Sequence, residues 1–279
     1  MNKKLFLTLG LFLGLLAATP VTGQDDEKPI RPPFETLTLI DNQTTVNPYK
    51  GAMTLELQHR FSQISTISDL FGIYGTANTR MALSYGVTDK LMVALGTTRQ
   101  YKLQDLEWKY SIFTQTQSGK IPVSLSYAGN AVLDARAADA FGPAEEYKFI
   151  HRMSYMNQLI VSRKFGMLFS AQVAPTVIWM NAVEEGYKNL NFSANAGIRA
   201  QVLGFHSIIL EYEQPFTQPE TEDIYPNLAL GVEIGTSTHS FRVFVANYNA
   251  LVKNYNVLYN ANNPFAGDYQ FGFNISIKF

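Results

Sequence analysis

From position 51 to the C-terminus, apolar residues recur at every second position in successive short segments. The last segment is the clearest: Tyr269, Phe271, Phe273, Ile275, Ile277 and Phe279 alternate with Gln270, Gly272, Asn274, Ser276 and Lys278. The first sets Met53, Leu55 and Leu57 against Thr54, Glu56, Gln58 and Arg60, and the second sets Met81, Leu83, Tyr85 and Val87 against Arg80, Ala82, Ser84 and Gly86. We count twelve such rows. A period of two puts one apolar and one polar face on a pleated strand. The longest charge-free stretch, residues 165–183, is long enough for a membrane helix. Its Gly166, Ser170, Gln172, Pro175 and Thr176 interrupt the apolar residues, so it reads as a strand.

The connections sort into two kinds. Turn-like links fall at 88–90, 117–119, 163–166, 203–205 and 235–239. The intervening links at 62–75, 131–147, 181–188, 214–225 and 248–267 are longer, and only 100–105 is brief. Short links at one end and long ones at the other characterise outer-membrane barrels. The predicted fold is therefore all-β: a transmembrane antiparallel up-and-down β-barrel of about 12 strands over residues 51–279. Closure follows from physics, because an unpaired strand edge in lipid leaves backbone groups without partners. A soluble β-sandwich is the competing architecture. Against it stand the number of apolar rows, aromatics near row ends as interfacial girdles require, and Phe279 closing the most regular strand. The pattern has exceptions: Phe113, Met156 and Ile160 fall on polar rows, and Asn157 on an apolar one. Pro122 and Pro175 are expected near strand ends or bulges.

Two opposed faces also explain why a chain with 46% hydrophobic residues has a mean hydropathy of only −0.05. A net charge of −1 offers no footprint for nucleic acid, and the absence of cysteine excludes disulfides and thiolate chemistry. Residues 1–23 read as a cleaved secretory signal. Lys3 and Lys4 precede an apolar run over 5–16, and Val21 and Gly23 suit a cut before Gln24. Residues 24–50 carry Pro29, Pro32, Pro33 and Pro48. They are expected to form a periplasmic N-terminal segment, either a tether, which the prolines favour, or a plug folded into the lumen. An Ala-rich stretch over 131–141 is expected to form a short helix in a long outer loop.

Leu39-Ile40-Asp41-Asn42-Gln43-Thr44, the run Gln58-His59-Arg60-Phe61, Asp69-Leu70-Phe71-Gly72-Ile73 and Trp108-Lys109-Tyr110 together carry a likeness. On these residues the chain resembles the membrane-bound β-barrel family of unknown function from Gram-negative bacteria. The resemblance implies an outer-membrane barrel and supplies no catalytic residues.

With the polar parity facing inward, the lumen-facing charges are Glu56, Glu107, Glu211, Glu213 and Glu233 against Arg60, Arg80, Lys109, Arg152, Arg199, Arg242 and Lys278. Such a near-balance suits either a salt-bridged interior or a narrow water path. Phe279 is expected to serve as a C-terminal assembly signal read by the outer-membrane barrel-assembly machinery, with membrane lipid as the other partner. His59, His151, His206 and His239 show no paired-ligand spacing, so neither a metal nor a cofactor is expected. No catalytic residue is assigned. The functional expectation is a narrow passive pore for small polar solutes in the outer membrane of a Gram-negative bacterium, not an enzyme. Two alternatives are a structural or partner-binding barrel with a blocked lumen, and a lipid hydrolase at the rim. The hydrolase would need a serine and a histidine together, and His59 and Ser62 lie three apart on opposite faces of a continuous strand.

Overall fold

The computed structural model describes residues 28–64 and 67–279; the expected signal sequence lies outside the described residues. Twelve strands follow in chain order. The first four are β1 (Met53–Gln63), β2 (Asn78–Gly86), β3 (Leu91–Thr98) and β4 (Leu103–Phe113). Next come β5 (Ser124–Asp134), β6 (Met153–Phe165), β7 (Phe169–Met180) and β8 (Leu190–Leu203). The last four are β9 (His206–Pro215), β10 (Asn227–Gly235), β11 (His239–Ala246) and β12 (Gln270–Lys278). Each strand pairs with its chain neighbours, and β1 pairs antiparallel with β12 to close the barrel. At this seam the register runs from Thr54 opposite Lys278 to Arg60 opposite Gly272. The ladder reaches the last residue, since Met53 and Phe279 exchange backbone hydrogen bonds of 3.3 and 2.9 Å.

Alternation decides which side chain faces where. On β2, Arg80, Ala82 and Ser84 are buried inside, whereas Met81, Leu83 and Tyr85 are exposed on the outer surface. The same outward apolar row continues around the ring, for example Leu95 on β3, Val173 on β7 and Leu230 and Val232 on β10. This is the inverse of a water-soluble barrel, in which the apolar parity fills the interior.

The exceptions have local causes. A bulge between Ser111 and Phe113 brings Phe113 opposite Leu125, which returns the ring to the outer face. Asn157 stays on the outer face, where its Oδ1 accepts a 2.6 Å hydrogen bond from the Tyr127 hydroxyl. Met156 and Ile160 do point inward, and both are buried there. Pro122 precedes β5, but Pro175 lies in the middle of β7 rather than at an end or bulge. It is tolerated because the β6–β7 ladder stops at Gln158 opposite Thr176 and resumes in the same register at Val161 opposite Val173.

The ends differ as the link lengths imply. Tight turns join β2–β3, β6–β7, β8–β9 and β10–β11 at what we call the turn end, with the 114–123 connection somewhat longer. Gly204 sits at φ 54° in the two-residue β8–β9 turn, a conformation that a side chain would strain. Longer connections lie at the opposite, loop end, where only the β3–β4 link is short. There the stretch expected to be helical is divided: residues 131–134 complete β5, because strand pairing satisfies their backbone, and only a 3-10 turn, Ala138–Phe141, follows.

An outward belt held in lipid predicts a strong position dependence. Leu95→Arg, midway along β3 on the outer face, is expected to cost about 2–4 kcal/mol in folding into vesicles near the bilayer centre. Denaturant titration of vesicle-bound protein checks it. The folded wild type should also migrate differently in detergent gels before and after heating.

Candidate functional site

The polar lumen is not empty. Residues 34–44 enter it from the turn end as a hairpin, with Thr38 bridged to Gln43 and the Leu39 amide donating to the Asn42 carbonyl at 2.9 Å. Phe34, Thr36, Leu39, Ile40, Asn42 and Thr44 are all buried. At the tip, the backbone amides of Ile40, Asp41 and Asn42 converge on the Glu211 carboxylate of β9 at 2.6, 3.1 and 2.8 Å. The Asn42 side-chain amide donates to the same carboxylate. Successive amides at a tight turn form a concave anion site, and here the anion is supplied by the barrel wall.

The same tip presents the Asp41 carboxylate to Arg60 of β1 at 2.6 Å. Arg60 donates to Asn274 of β12 at 2.9 Å and lies 4.4 Å over the Phe244 ring. Gly272 makes that stack possible, since a Cβ there would stand 2.5 Å from the Phe244 ring. Arg242 of β11 holds the hairpin flank through the carbonyls of Thr38 and Leu39 at 2.6 and 3.1 Å. Lys109 of β4 donates to Leu37 O and Gln43 Oε1 at 3.2 and 2.9 Å, and Gln43 in turn donates to Glu107 at 2.9 Å. The Thr38 hydroxyl donates to Glu56 at 2.6 Å. A smaller apolar contact, Leu39 and Ile40 against Ile209, Phe244 and Tyr248, completes the seat.

The favoured expectation of a tether for this segment does not describe residues 34–44. The prolines that suggested it flank the hairpin, and the stretch between them is rich in Thr, Asn and Gln, which suits a hydrogen-bonding wall. Residues 28–30 run along the 114–123 connection instead: Ile30 donates to Gln115 O, and Gln117 donates to Lys28 O, each at 3.0 Å.

A second segment fills the loop end. The β11–β12 connection turns inward and forms a short helix, α1 (Lys253–Leu258), whose six residues are all buried. Lys253 Nζ meets Glu213 of β9 at 2.8 Å. Asn254 bridges Ser154 and Asn130, and the Tyr255 hydroxyl reaches Asp134 at 3.2 Å. Val252, Val257 and Leu258 pack on Leu103, Val132, Met156, Ile178 and Met180, which explains why Met156 breaks the polar row. Ile160 packs with Ala128 and Ala174 instead. Where the two inserts approach, between Asp41 and Lys253, lies a cavity of about 20 Å³. That is room for about one water.

The expected lumen charges divide accordingly. Glu56, Arg60, Arg80, Lys109, Arg199, Glu211, Glu213, Glu233 and Arg242 are buried inside the barrel, and Glu107 is partly buried beside Arg80 at 3.0 Å. Arg199 pairs with Glu233 at 2.7 Å. Two assignments require correction. Arg152 ends a 3-10 turn (Phe149–Arg152) at the loop end, where it stacks over Phe141 and Tyr147 and donates to Asp134 O. Lys278 follows the inward parity but lies exposed at the turn-end mouth, in the last pairs of the ladder, where it donates to Glu35 O at 2.9 Å. Sequence reasoning missed Asp41, Asp105 and Lys253. Asp105 shares the parity of Glu107 and Lys109 and binds Arg80 at 2.5 Å, but the link at 100–105 hid it; β4 begins at Leu103. At the rim, His59 faces outward and stacks on Phe273 at 4.9 Å, while Ser62 Oγ donates to Gly72 O at 2.9 Å.

An outward apolar belt around a closed antiparallel ring with a charged interior defines a membrane β-barrel. The chain belongs to the family described as membrane bound beta barrel domain, whose model matches residues 34–279 and so begins with the hairpin. Among solved structures, an outer-membrane channel from Pseudomonas putida F1 superposes with a TM-score of 0.51 at 9% identity, covering 84% of this chain and 97% of that one. The NanC porin superposes with a TM-score of 0.50 at 7% identity, covering 81% and 98%. At such identity the likeness is one of fold. No curated protein sequence matches the chain.

If the Glu211 clamp holds the hairpin, weakening it exposes residue 37. The chain has no cysteine, so Leu37→Cys gives a single labelling site. A membrane-impermeant maleimide should label it slowly, and adding Glu211→Gln or Arg60→Ala should accelerate labelling about tenfold, the scale of one charge-assisted hydrogen bond. Unchanged rates in both would mean that other contacts hold the hairpin.

Proposed function

We propose that this protein is an outer-membrane channel held shut by its own N-terminal hairpin and by the loop-end insert, passing small polar solutes passively when both give way. One observation carries the reading: the wall beneath the hairpin is polar on strand after strand, with Glu56, Arg60, Lys109, Gln158, Gln172, Glu211 and Asn274 all turned toward it. Water can replace the hairpin at each of these groups, so withdrawal leaves a solvated turn-end half, and the path is complete when the β11–β12 insert also gives way. A ring of this strand number encloses a lumen between those of small eight-stranded barrels and the large porins. The turn end faces the periplasm in this reading, with Phe279 presented there to the barrel-assembly machinery and the chain exported by its signal sequence. The reading assigns no catalytic step and no cofactor.

The second reading is a permanently closed scaffold, favoured by the filling of the lumen from both ends. Planar-bilayer recordings separate the two. Wild type should conduct rarely or in small steps, and deletion of residues 28–46 combined with Lys253→Ala and Leu258→Ala, which loosen the loop-end insert, should give larger, long-lived openings. Absence of channels from both proteins, each folded by the heat-shift criterion, would overturn the channel reading.

A further inference from the structure

The loop-end insert sits in the lumen as a ligand would. Its ammonium group, Lys253 Nζ, lies 2.8 Å from Glu213 Oε2, and the other oxygen of that carboxylate accepts from Ser193 Oγ at 2.6 Å. Beside it, the apolar side chains of α1 cover an inward-facing apolar patch contributed by four successive strands, β4 to β7. Such a patch is foreign to a lumen whose other wall residues are mostly polar. With the insert displaced, the wall would present a buried carboxylate next to an apolar surface and no cation of its own to match, because Lys253 leaves with the loop. Glu211 adds to the negative side, and the nearest wall cation on the cavity between the inserts is Arg80, already bound to Asp105 and Glu107.

We propose that this loop-end chamber is a binding site for small organic cations with an apolar or aromatic body, primary amines above all, and that the β11–β12 connection is its built-in competitor. The carboxylate takes the ammonium and the β4–β7 patch takes the body, each replacing the matching part of α1. The proposal names a solute class for the channel reading and rests on it for transport; binding stands apart from conduction and is measured without it.

The test uses the full chain in detergent, folded by the heat-shift criterion, with phenethylammonium as probe and phenethyl alcohol as its uncharged counterpart, read by calorimetry. Lys253→Ala removes the competing ammonium and should bind the amine at least about tenfold more tightly than wild type, with no comparable gain for the alcohol. Adding Glu213→Gln to that variant should abolish the gain. Leu258→Ala, which loosens the apolar seat and leaves the ion pair intact, should also raise amine affinity, and it serves if Lys253→Ala does not fold. Equal amine affinity in wild type and both variants, or a gain that survives Glu213→Gln, would overturn the proposal and leave α1 a packing element. Failure here with conductance intact removes only the amine site, whereas amine binding without conductance removes only the channel.

Discussion

Every backbone amide and carbonyl in a lipid-facing strand needs a partner within the protein, because the hydrocarbon supplies none. The β1–β12 seam answers that requirement and sets the rest of the structure. Once the ring is closed, the pleat divides every strand between an outside that must be apolar and an inside that is free to be charged. The charged inside then needs compensation, which the wall provides only in part. Arg80 with Asp105, and Arg199 with Glu233, pair across the wall, while Arg60, Arg242, Lys109 and Glu211 find partners on the hairpin.

The hairpin therefore plays two parts. It completes the hydrogen bonding of a wall that would otherwise hold water, and it occupies the turn-end lumen. The balance of its contacts matters. Buried ion pairs such as Arg60–Asp41 add little net stability, because desolvation offsets much of the attraction, yet removing one partner alone costs about 3–5 kcal/mol. Such contacts fix where the tip sits more than they raise how firmly it is held. The loop-end insert differs, with a larger apolar share against Met156, Ile178 and Met180. The two closures thus rest on different chemistry, buried charge and hydrogen bonds at one end and a larger apolar share beside one ion pair at the other.

Much of the barrel was legible in the residues because lipid outside and charge inside impose a strict period of two, which survives even where one residue is misplaced. Phe113 broke the period only because a bulge shifts the count, and a bulge leaves no reliable mark in the residues themselves. The inserts were far less legible. Leu39–Thr44 has no period, since a hairpin tip is defined by its turn and by a carboxylate far away in sequence, and it stood out only through family resemblance. Lys253 was invisible for the same reason: it lies in a long loop, and its partner Glu213 is identified only when the loop folds inward. Met156 was a hint, an apolar residue on a polar row with no lipid to face.

The hairpin also constrains the order in which the chain is put together. It precedes β1, while Glu211 lies 171 residues beyond Ile40. The Arg60–Asp41 contact spans only 19 residues, so it closes a short loop and is available early. A ring sealed first would have to admit a folded hairpin through its turn-end mouth. A sheet curling around a hairpin already held by β1 needs no such passage, and its last strands arrive to find the interior occupied. The segment that fills the turn-end lumen is then also the form around which the wall is wrapped.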